Sequence, residues 1–391
     1  MSQKKTAILV IQGLQEQKPL DALDRFSRGL AATLHKTAPA LRVALSHRVM
    51  SIEGRSESYV RLGVEEGRSI DVFEYYWADL TTDKATIVDV IEWLLAVSDG
   101  AKAFYDSHPD LVNVCQRPLT RAFRNNLMET NWYLSRFGGL FKAFALIDQV
   151  FPLSQWERLS GVLKALVQPV MGFVHRQETA RLVDFLGDVV AYTSLLKRGC
   201  SGISRTAVLN GAMSRLTSIL QSLEHYDQVL IAGHSLGSVI AYDAVNSLIR
   251  QINEREEDRA LLPYHRLKGL ITFGSPLDKV AFLLRFGSKP DEYVRRQLMA
   301  QRHCFRTAGF DIAAFRRPDM AVENPYRISL DEQVYWINYW DAKDPVSGHL
   351  DFYRVHENVQ CEMSGTRLEP HVQYWDYMPM YDDIARRFIL Q

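Results

Sequence analysis

Cysteine is scarce in this 391-residue chain, and its four copies, Cys115, Cys200, Cys304 and Cys361, stand far apart with no CxxC pair. That spacing argues against a zinc ribbon, a thiol redox motif and a disulfide scaffold, and a reducing cytosol is the compartment it fits. An excess of charge of either sign is also missing, since Lys+Arg and Asp+Glu both total 46. Without a basic stripe there is little to attract a phosphate backbone, so nucleic acid is not an expected partner. Long uncharged apolar runs are absent too. The most apolar region, Gly138 to His175, is broken by Lys142, Asp148, Glu157, Arg158 and Lys164, whereas a bilayer-crossing helix needs roughly 18 uninterrupted residues. The opening Met1-Ser2-Gln3-Lys4-Lys5 runs straight into Thr6 to Ile11, an apolar segment too short for a signal peptide. What remains is a cytoplasmic globular composition, 47% hydrophobic and 24% charged, able to bury a large core.

Two patterns alternate along the chain. Thr6 to Ile11 is a short β-branched run ending at Gln12-Gly13, and Leu23, Phe26, Leu30 and Leu34 follow at helical spacing within Leu20 to Leu34. Arg42 to Met50 and Ser69 to Trp77 are rich in strand formers, with charged, glycine-containing sequence between them. After residue 200 the alternation resumes: helix Arg205 to Leu223, strand Gln228 to Ala232, helix Val239 to Gln251, strand Gly269 to Phe273 and strand Val334 to Trp340. Such an order predicts an α/β fold with a mostly parallel central sheet and helices on both faces. Between the two stretches, about Ala85 to Thr193 shows helical stripes such as Ile87, Val90, Ile91, Leu94 and Leu95, divided by Pro109, Pro118, Pro152 and Pro169. The expected organisation is therefore a core of residues 1–80 and 201–391 with a helical insertion or cap over 81–200.

The segment Gly233-His234-Ser235-Leu236-Gly237 matches G-x-S-x-G, which arises by chance about 0.1 times in a chain of this size. Its setting raises its weight, because Gln228 to Ala232 reads as a strand directly before it and Val239 to Ala244 as a helix after it. A serine on a tight turn there has its hydroxyl lifted above the sheet edge. Side chains two residues before and after it would collide with the neighbouring strand and helix, so Gly233 and Gly237 leave them out. The same turn aims the backbone N–H of Leu236 at the space above Ser235, where an oxyanion would be stabilised.

A serine hydroxyl is a weak nucleophile at neutral pH and needs an imidazole base held by a carboxylate. In the strand-turn-helix setting the chain order is Ser, acid, His. Asp341 and Asp344 lie in the loop after Val334 to Trp340, and Asp344 is preferred because Pro345 and Gly348 mark a sharp turn around it. Among His349, His356 and His371, the last is best placed, following the polar loop Ser364 to Pro370 and preceding Tyr374-Trp375, where it can stand at a loop tip over the sheet edge.

These residues resemble bacterial lipase-like members of the α/β-hydrolase superfamily, and the likeness runs along nearly the whole chain. Ile8 to Gln17 is similar to the family's strand followed by His-Gly-Ile-Gly-x-Gln. Val72 to Ala78, Gly187 to Tyr192, Gly233 to Asp243, Phe273-Gly274-Ser275-Pro276-Leu277, Asp344 to Gly348 and His371 to Trp375 look like its later markers, in the family's order. The resemblance implies an α/β-hydrolase fold, a triad of Ser235, Asp344 and His371, and an oxyanion hole made by the backbone N–H groups of Leu236 and Leu14. It implies neither metal nor cofactor. The first loop departs from the pattern: His-Gly stands here as Gln12-Gly13, and Gln15 brings a Cβ where the family has glycine. Relatives often carry membrane-spanning segments between the second and third markers, where this chain has its charged, proline-divided helical block.

The activity so implied is hydrolysis of a carboxylic ester, of a lipid or another acyl substrate, through an acyl-enzyme. An acyltransferase or thioesterase would use the same residues, and a scaffold kept for binding or signalling with little turnover is the reading from a different class. The apolar stripe that includes Leu140, Phe141, Phe144, Ala145 and Ile147 admits three uses: packing of helices against one another, closure onto an acyl chain, or peripheral membrane contact through the insertion.

Overall fold

The computed structural model describes residues 4–13, 18–37, 42–52, 54–64, 68–80, 205–286, 327–344, 346–365 and 369–391, together with ten isolated residues in 81–204 and 287–326. Eight strands form one mixed sheet: β1 (Lys5–Ile11), β2 (Val43–Ile52), β3 (Arg55–Val64), β4 (Arg68–Tyr75), β5 (Gln228–His234), β6 (Leu267–Phe273), β7 (Tyr335–Trp340) and β8 (Glu357–Gln360). Their spatial order is β2-β3-β4-β1-β5-β6-β7-β8. Pairing is parallel from β4 through to β8 and antiparallel for β2 with β3 and β3 with β4. β1 is central because it is apolar on both faces: from Thr6 to Ile11 every residue is buried between β4 and β5.

Helices cover both faces, as expected of an α/β protein. On one face lies α1 (Asp21–Thr37), whose Leu23, Phe26, Leu30 and Leu34 are buried at the spacing read from the sequence. They share a core with Ile8 and Val10 of β1, Leu62 of β3, Val72 of β4 and, near the C-terminus, Tyr381 and Phe388. Glu74 of β4 caps α1, its carboxylate accepting the N–H groups of Leu20 at 2.6 Å and Ala22 at 3.1 Å. The other face is covered by α2 (Arg205–Leu220) and α3 (Leu236–Glu254), with α4 (Glu256–Leu261) continuing from α3. The remaining helices are α5 (Leu277–Phe286), the short α6 (Glu369–Gln373) and α7 (Met378–Ile384), which packs on α1 and runs into a π-turn at Ala385–Ile389.

The sequence reading takes the stretch between Met50 and Ser69 as a charged, glycine-containing connection, and the structure corrects this by making β3 of it, paired antiparallel with β2 and β4. Polar residues hide β3 because their charge is neutralised internally. Arg61 sits opposite Asp71 in the β3-β4 register, and its guanidinium donates two bonds of 2.7 Å to that carboxylate. Asp71 is fully buried and also accepts the hydroxyl of Tyr226 at 2.7 Å. On the same face Tyr59 stacks on Phe73, while Leu62 and Val64 point into the α1 core. The strand therefore alternates as a half-buried strand should, with an ion pair in one of its inward positions.

The chain divides into two compact units, one of Met1–Leu80, Arg205–Asp278 and Lys289–Gln391, the other of Thr81–Ser204 and Lys279–Ser288. In the second, Trp93 Nε1 donates to the Thr193 hydroxyl at 2.9 Å, and that hydroxyl donates to the Val189 carbonyl at 2.6 Å. Apart from a few further single residues, such as the buried Val97 and Tyr192, the helical block expected over Ala85 to Thr193, its stripe near Leu140 included, lies outside the described residues. Among the described residues, no helix is long and apolar enough to cross a membrane.

Removing Asp71 should expose what this buried pair contributes. Losing one partner of a buried ion pair costs about 3–5 kcal/mol, and the low end is expected for Asp71→Ala because Arg61 keeps Glu224 at 3.0 Å. Denaturant unfolding tests it; a loss under about 1 kcal/mol, the size of an exposed pair, would contradict an essential buried pair.

Candidate active site

Three parallel strands deliver the candidate residues to the same edge of the sheet, their C-terminal edge, where α/β proteins bind ligands. β5 ends at His234, and Ser235 follows with φ 53° and ψ −128° before α3 begins at Leu236. A positive φ is rare for a residue with a side chain and marks local strain. Neighbours hold it. The Ser235 N–H donates to the Phe273 carbonyl of β6 at 3.0 Å, and the flanking glycines permit backbone contacts that no other residue would. A Cβ on Gly233 would fall 2.5 Å from the Gly237 carbonyl oxygen, and one on Gly237 would run into the Ile11 carbonyl of β1.

Asp344 lies four residues past the end of β7, in the loop that the sequence marks. Its Oδ1 accepts the Val346 N–H at 2.8 Å, an Asx turn that aims the carboxylate. Its Oδ2 faces His371 Nδ1 at 2.8 Å, and His371 Nε2 faces Ser235 Oγ at 2.9 Å. Because an ionised carboxylate only accepts, Nδ1 carries the proton toward Asp344 and Nε2 is left to accept from the serine. His371 and Asp344 are 0% and 1% exposed and Ser235 is 6% exposed. The line of two hydrogen bonds is thus shielded, with the serine at its more open end.

The alternatives are employed elsewhere. Asp341 accepts the N–H groups of Lys343 and Met363, both at 2.7 Å, and so closes two loops together. His349 Nδ1 pairs with Asp351 at 2.7 Å, and His356 Nδ1 accepts the Trp336 N–H near the opposite end of β7. His371 itself is not at a loop tip as the sequence suggests; it lies within α6, fully buried. Its approach to Ser235 comes from packing rather than from loop reach.

Leu236 is the first residue of α3 and is buried, so its N–H has no acceptor within the helix. Gly13, at the end of β1, packs directly on it: a Cβ there would fall 2.7 Å from Ser235 Cβ and 2.9 Å from Leu236 N. This close approach demands glycine, a requirement the sequence shows only as a glycine after a strand. Gln12 is buried beside it, its carbonyl accepting Trp77 Nε1 at 2.8 Å while its side-chain Oε1 has no partner among the described residues. Leu14, the other expected oxyanion donor, and Gln15 lie outside the described residues. Among the described residues no group of three or more His, Cys, Asp or Glu side chains is arranged to hold a metal ion.

Sequence reasoning passes over His234 as mere filling of the pentad. Its ring lies 4.9 Å from that of His371 and 5.1 Å from that of Trp375, and its Nε2 donates to the His371 carbonyl at 2.9 Å. Nδ1 is buried and has no partner among the described residues. Burial, reinforced by the neighbouring His371, pushes the imidazole down to about 3. It is a neutral prop holding the backbone of the histidine that faces Ser235. Gly274, with φ 61°, turns the chain tightly beneath both rings.

This histidine makes stability depend on pH in a defined direction. The unfolded chain takes up a proton at His234 near pH 6.5, the folded chain only near about 3. The stability present above the unfolded value is therefore lost as pH falls through that window. Denaturant unfolding of wild type and His234→Phe from neutral pH downward should diverge by up to about 1.4 kcal/mol per pH unit, with wild type the steeper. Parallel curves would show that His234 protonates freely in the fold.

No family model, curated protein or solved structure matches the chain, so the site has to be read from its own geometry.

Proposed function

We propose that this chain is a serine hydrolase of the α/β-hydrolase fold, cleaving a carboxylic ester of a lipid or another acyl compound. The observation that carries the reading is the unbroken line Asp344–His371–Ser235, with bonds of 2.8 and 2.9 Å, ending on a serine held at positive φ. A structural Gly-Ser turn has no need of a buried histidine and a buried aspartate aligned behind its hydroxyl.

In this reading Ser235 Oγ attacks the ester carbonyl while its proton passes to His371 Nε2, and Asp344 stabilises the resulting imidazolium through Nδ1–H. The carbonyl oxygen, now negative, is held by the Leu236 N–H, with the Leu14 N–H as the second donor that the family resemblance implies. His371 returns the proton to the departing alcohol, leaving Ser235 acylated. Water, activated by the same imidazole, then releases the acid and restores the serine. Every proton moved is accounted for by these three side chains.

A fluorophosphonate probe tests the nucleophile: wild type should be labelled and Ser235→Ala should not, and equal labelling of the two ends the proposal. Asp344→Asn keeps the size of the side chain while removing the charge that orients His371. It is expected to lower kcat on a short-chain nitrophenyl ester by about 10³–10⁴-fold with KM little changed. Steady-state kinetics on folded variant protein measure it.

A further inference from the structure

Two segments that resemble family markers, Asp344 to Gly348 and His371 to Trp375, contribute only their first residues to the line behind Ser235. Three residues further on, each carries a buried hydroxyl: Ser347 and Tyr374 are both 0% exposed. Ser347 Oγ and the Tyr374 hydroxyl meet at 3.1 Å. Their separation along the chain is 27 residues, the same as that of Asp344 and His371. The two segments are therefore joined twice, in step.

Each side of this double contact is stiff. Asp344 and Ser347 belong to one folded turn. The Asp344 N–H donates to the Asp341 carbonyl at 3.1 Å, Asp344 Oδ1 accepts the Val346 N–H at 2.8 Å, and Ser347 Oγ accepts the Asp341 N–H at 3.4 Å. His371 lies in α6, and Tyr374 opens the 3₁₀ turn Tyr374–Asp376 that follows directly, with Gln373 between them helical at φ −75° and ψ −14°. Residues three apart on a helix share a face, so imidazole and phenol are presented together. Burial, with the Asp344 carboxylate adding to it, pushes the Tyr374 phenol well up, and the hydroxyl keeps its proton. Among the described residues that hydroxyl has no partner besides Ser347.

A single hydrogen bond sets the separation of two segments and leaves them free to swing about it. Such a swing of α6 about the bond from His371 to Asp344 would carry Nε2 away from Ser235 Oγ. His234 holds the His371 carbonyl from the β5 side, and a second bond to the acid's own turn fixes the orientation. We infer that Tyr374 and Ser347 are positioning residues, a clasp that locks the acid turn to the histidine helix and keeps His371 Nε2 aimed at Ser235. The inference rests on the serine-hydrolase reading above. Neither hydroxyl takes part in the chemistry, and the clasp works whichever of the two donates.

A net hydrogen bond favours the arrangement that makes it by about two- to twelvefold, and that factor bounds the loss of aligned triad when the bond is removed. Tyr374→Phe deletes the hydroxyl alone and keeps a ring beside His234 and Phe273. Its kcat on a short-chain nitrophenyl ester should fall by about two- to twelvefold, with KM within about twofold. The low-field proton NMR signal of the His371 N–H facing Asp344 should broaden or move upfield, a change that lower stability alone does not produce. A double-mutant cycle with Ser347→Ala assigns the effect to the pair: in that background Tyr374→Phe should lower kcat little further, because the bond has already gone. Unchanged kcat, a loss carried wholly by KM, or a sharp and unmoved N–H signal in folded Tyr374→Phe overturns the clasp, as do fully additive losses in the cycle. Should Ser347→Ala fail to fold, Tyr374→Phe decides the matter alone. Fluorophosphonate labelling of wild type separates the two levels: unlabelled wild type removes the hydrolase reading, while labelled wild type with an unaltered Tyr374→Phe removes only the clasp.

Discussion

Where the ends of β1 and β5 meet the start of α3, three backbones approach more closely than side chains allow, and the candidate site is organised by that contact. Gly13, Gly233 and Gly237 each stand where a Cβ would strike main-chain atoms of a neighbour. Omitting three Cβ atoms brings the Ser235 turn down onto β1 and holds it at a positive φ that an isolated peptide would seldom populate. The strain of that turn is offset by bonds from outside it, such as the one from the Ser235 N–H to β6. Only a serine so fixed can face an imidazole arriving from the far end of the chain.

A second pattern runs through the described residues: several polar groups are buried where they set geometry, matched by partners. Asp71 is surrounded by Arg61 and Tyr226 and welds β3 to β4. Glu74 caps α1, and burial raises it above the usual carboxylate range despite the backbone N–H groups that hold it. Asp341 and Asp344, three residues apart, divide their work, the first closing loops and the second aimed at His371. Five atoms break the rule: Gln12 Oε1, Ser27 Oγ, Thr33 Oγ1, His234 Nδ1 and Trp340 Nε1 are buried without partners among the described residues. An unmatched polar atom costs about 1–3 kcal/mol, and two of the five, Gln12 Oε1 and His234 Nδ1, lie in residues flanking the Ser235 turn, where natural proteins often accept local cost for position.

The chemistry these contacts support is directional. His371 Nε2 is left to accept from Ser235 Oγ, and the Leu236 N–H, at the first residue of α3, has no acceptor within the helix. A nucleophile needs the first and a developing oxyanion needs the second.

The elements that depend on local rules were legible in the amino-acid sequence alone. The apolar run of β1, the helical spacing of Leu23, Phe26, Leu30 and Leu34, and the pentad around Ser235 follow from sterics and periodicity within a few residues, so each can be read without knowing its neighbours. Chain order and turn residues likewise narrowed the acid to the loop after β7 and favoured Asp344 within it. Tertiary structure decided the rest. β3 was hidden because Arg61 looks like a surface residue until Asp71, ten positions on, is laid opposite it. His371 was singled out by context, but that it sits in a short helix, buried against His234 rather than reaching over from a loop, depends on packing between segments 137 residues apart. Periodicity records which face of an element meets the core. It does not record which atom of one element meets which atom of another, and the contact of His234 with His371 is of that second kind.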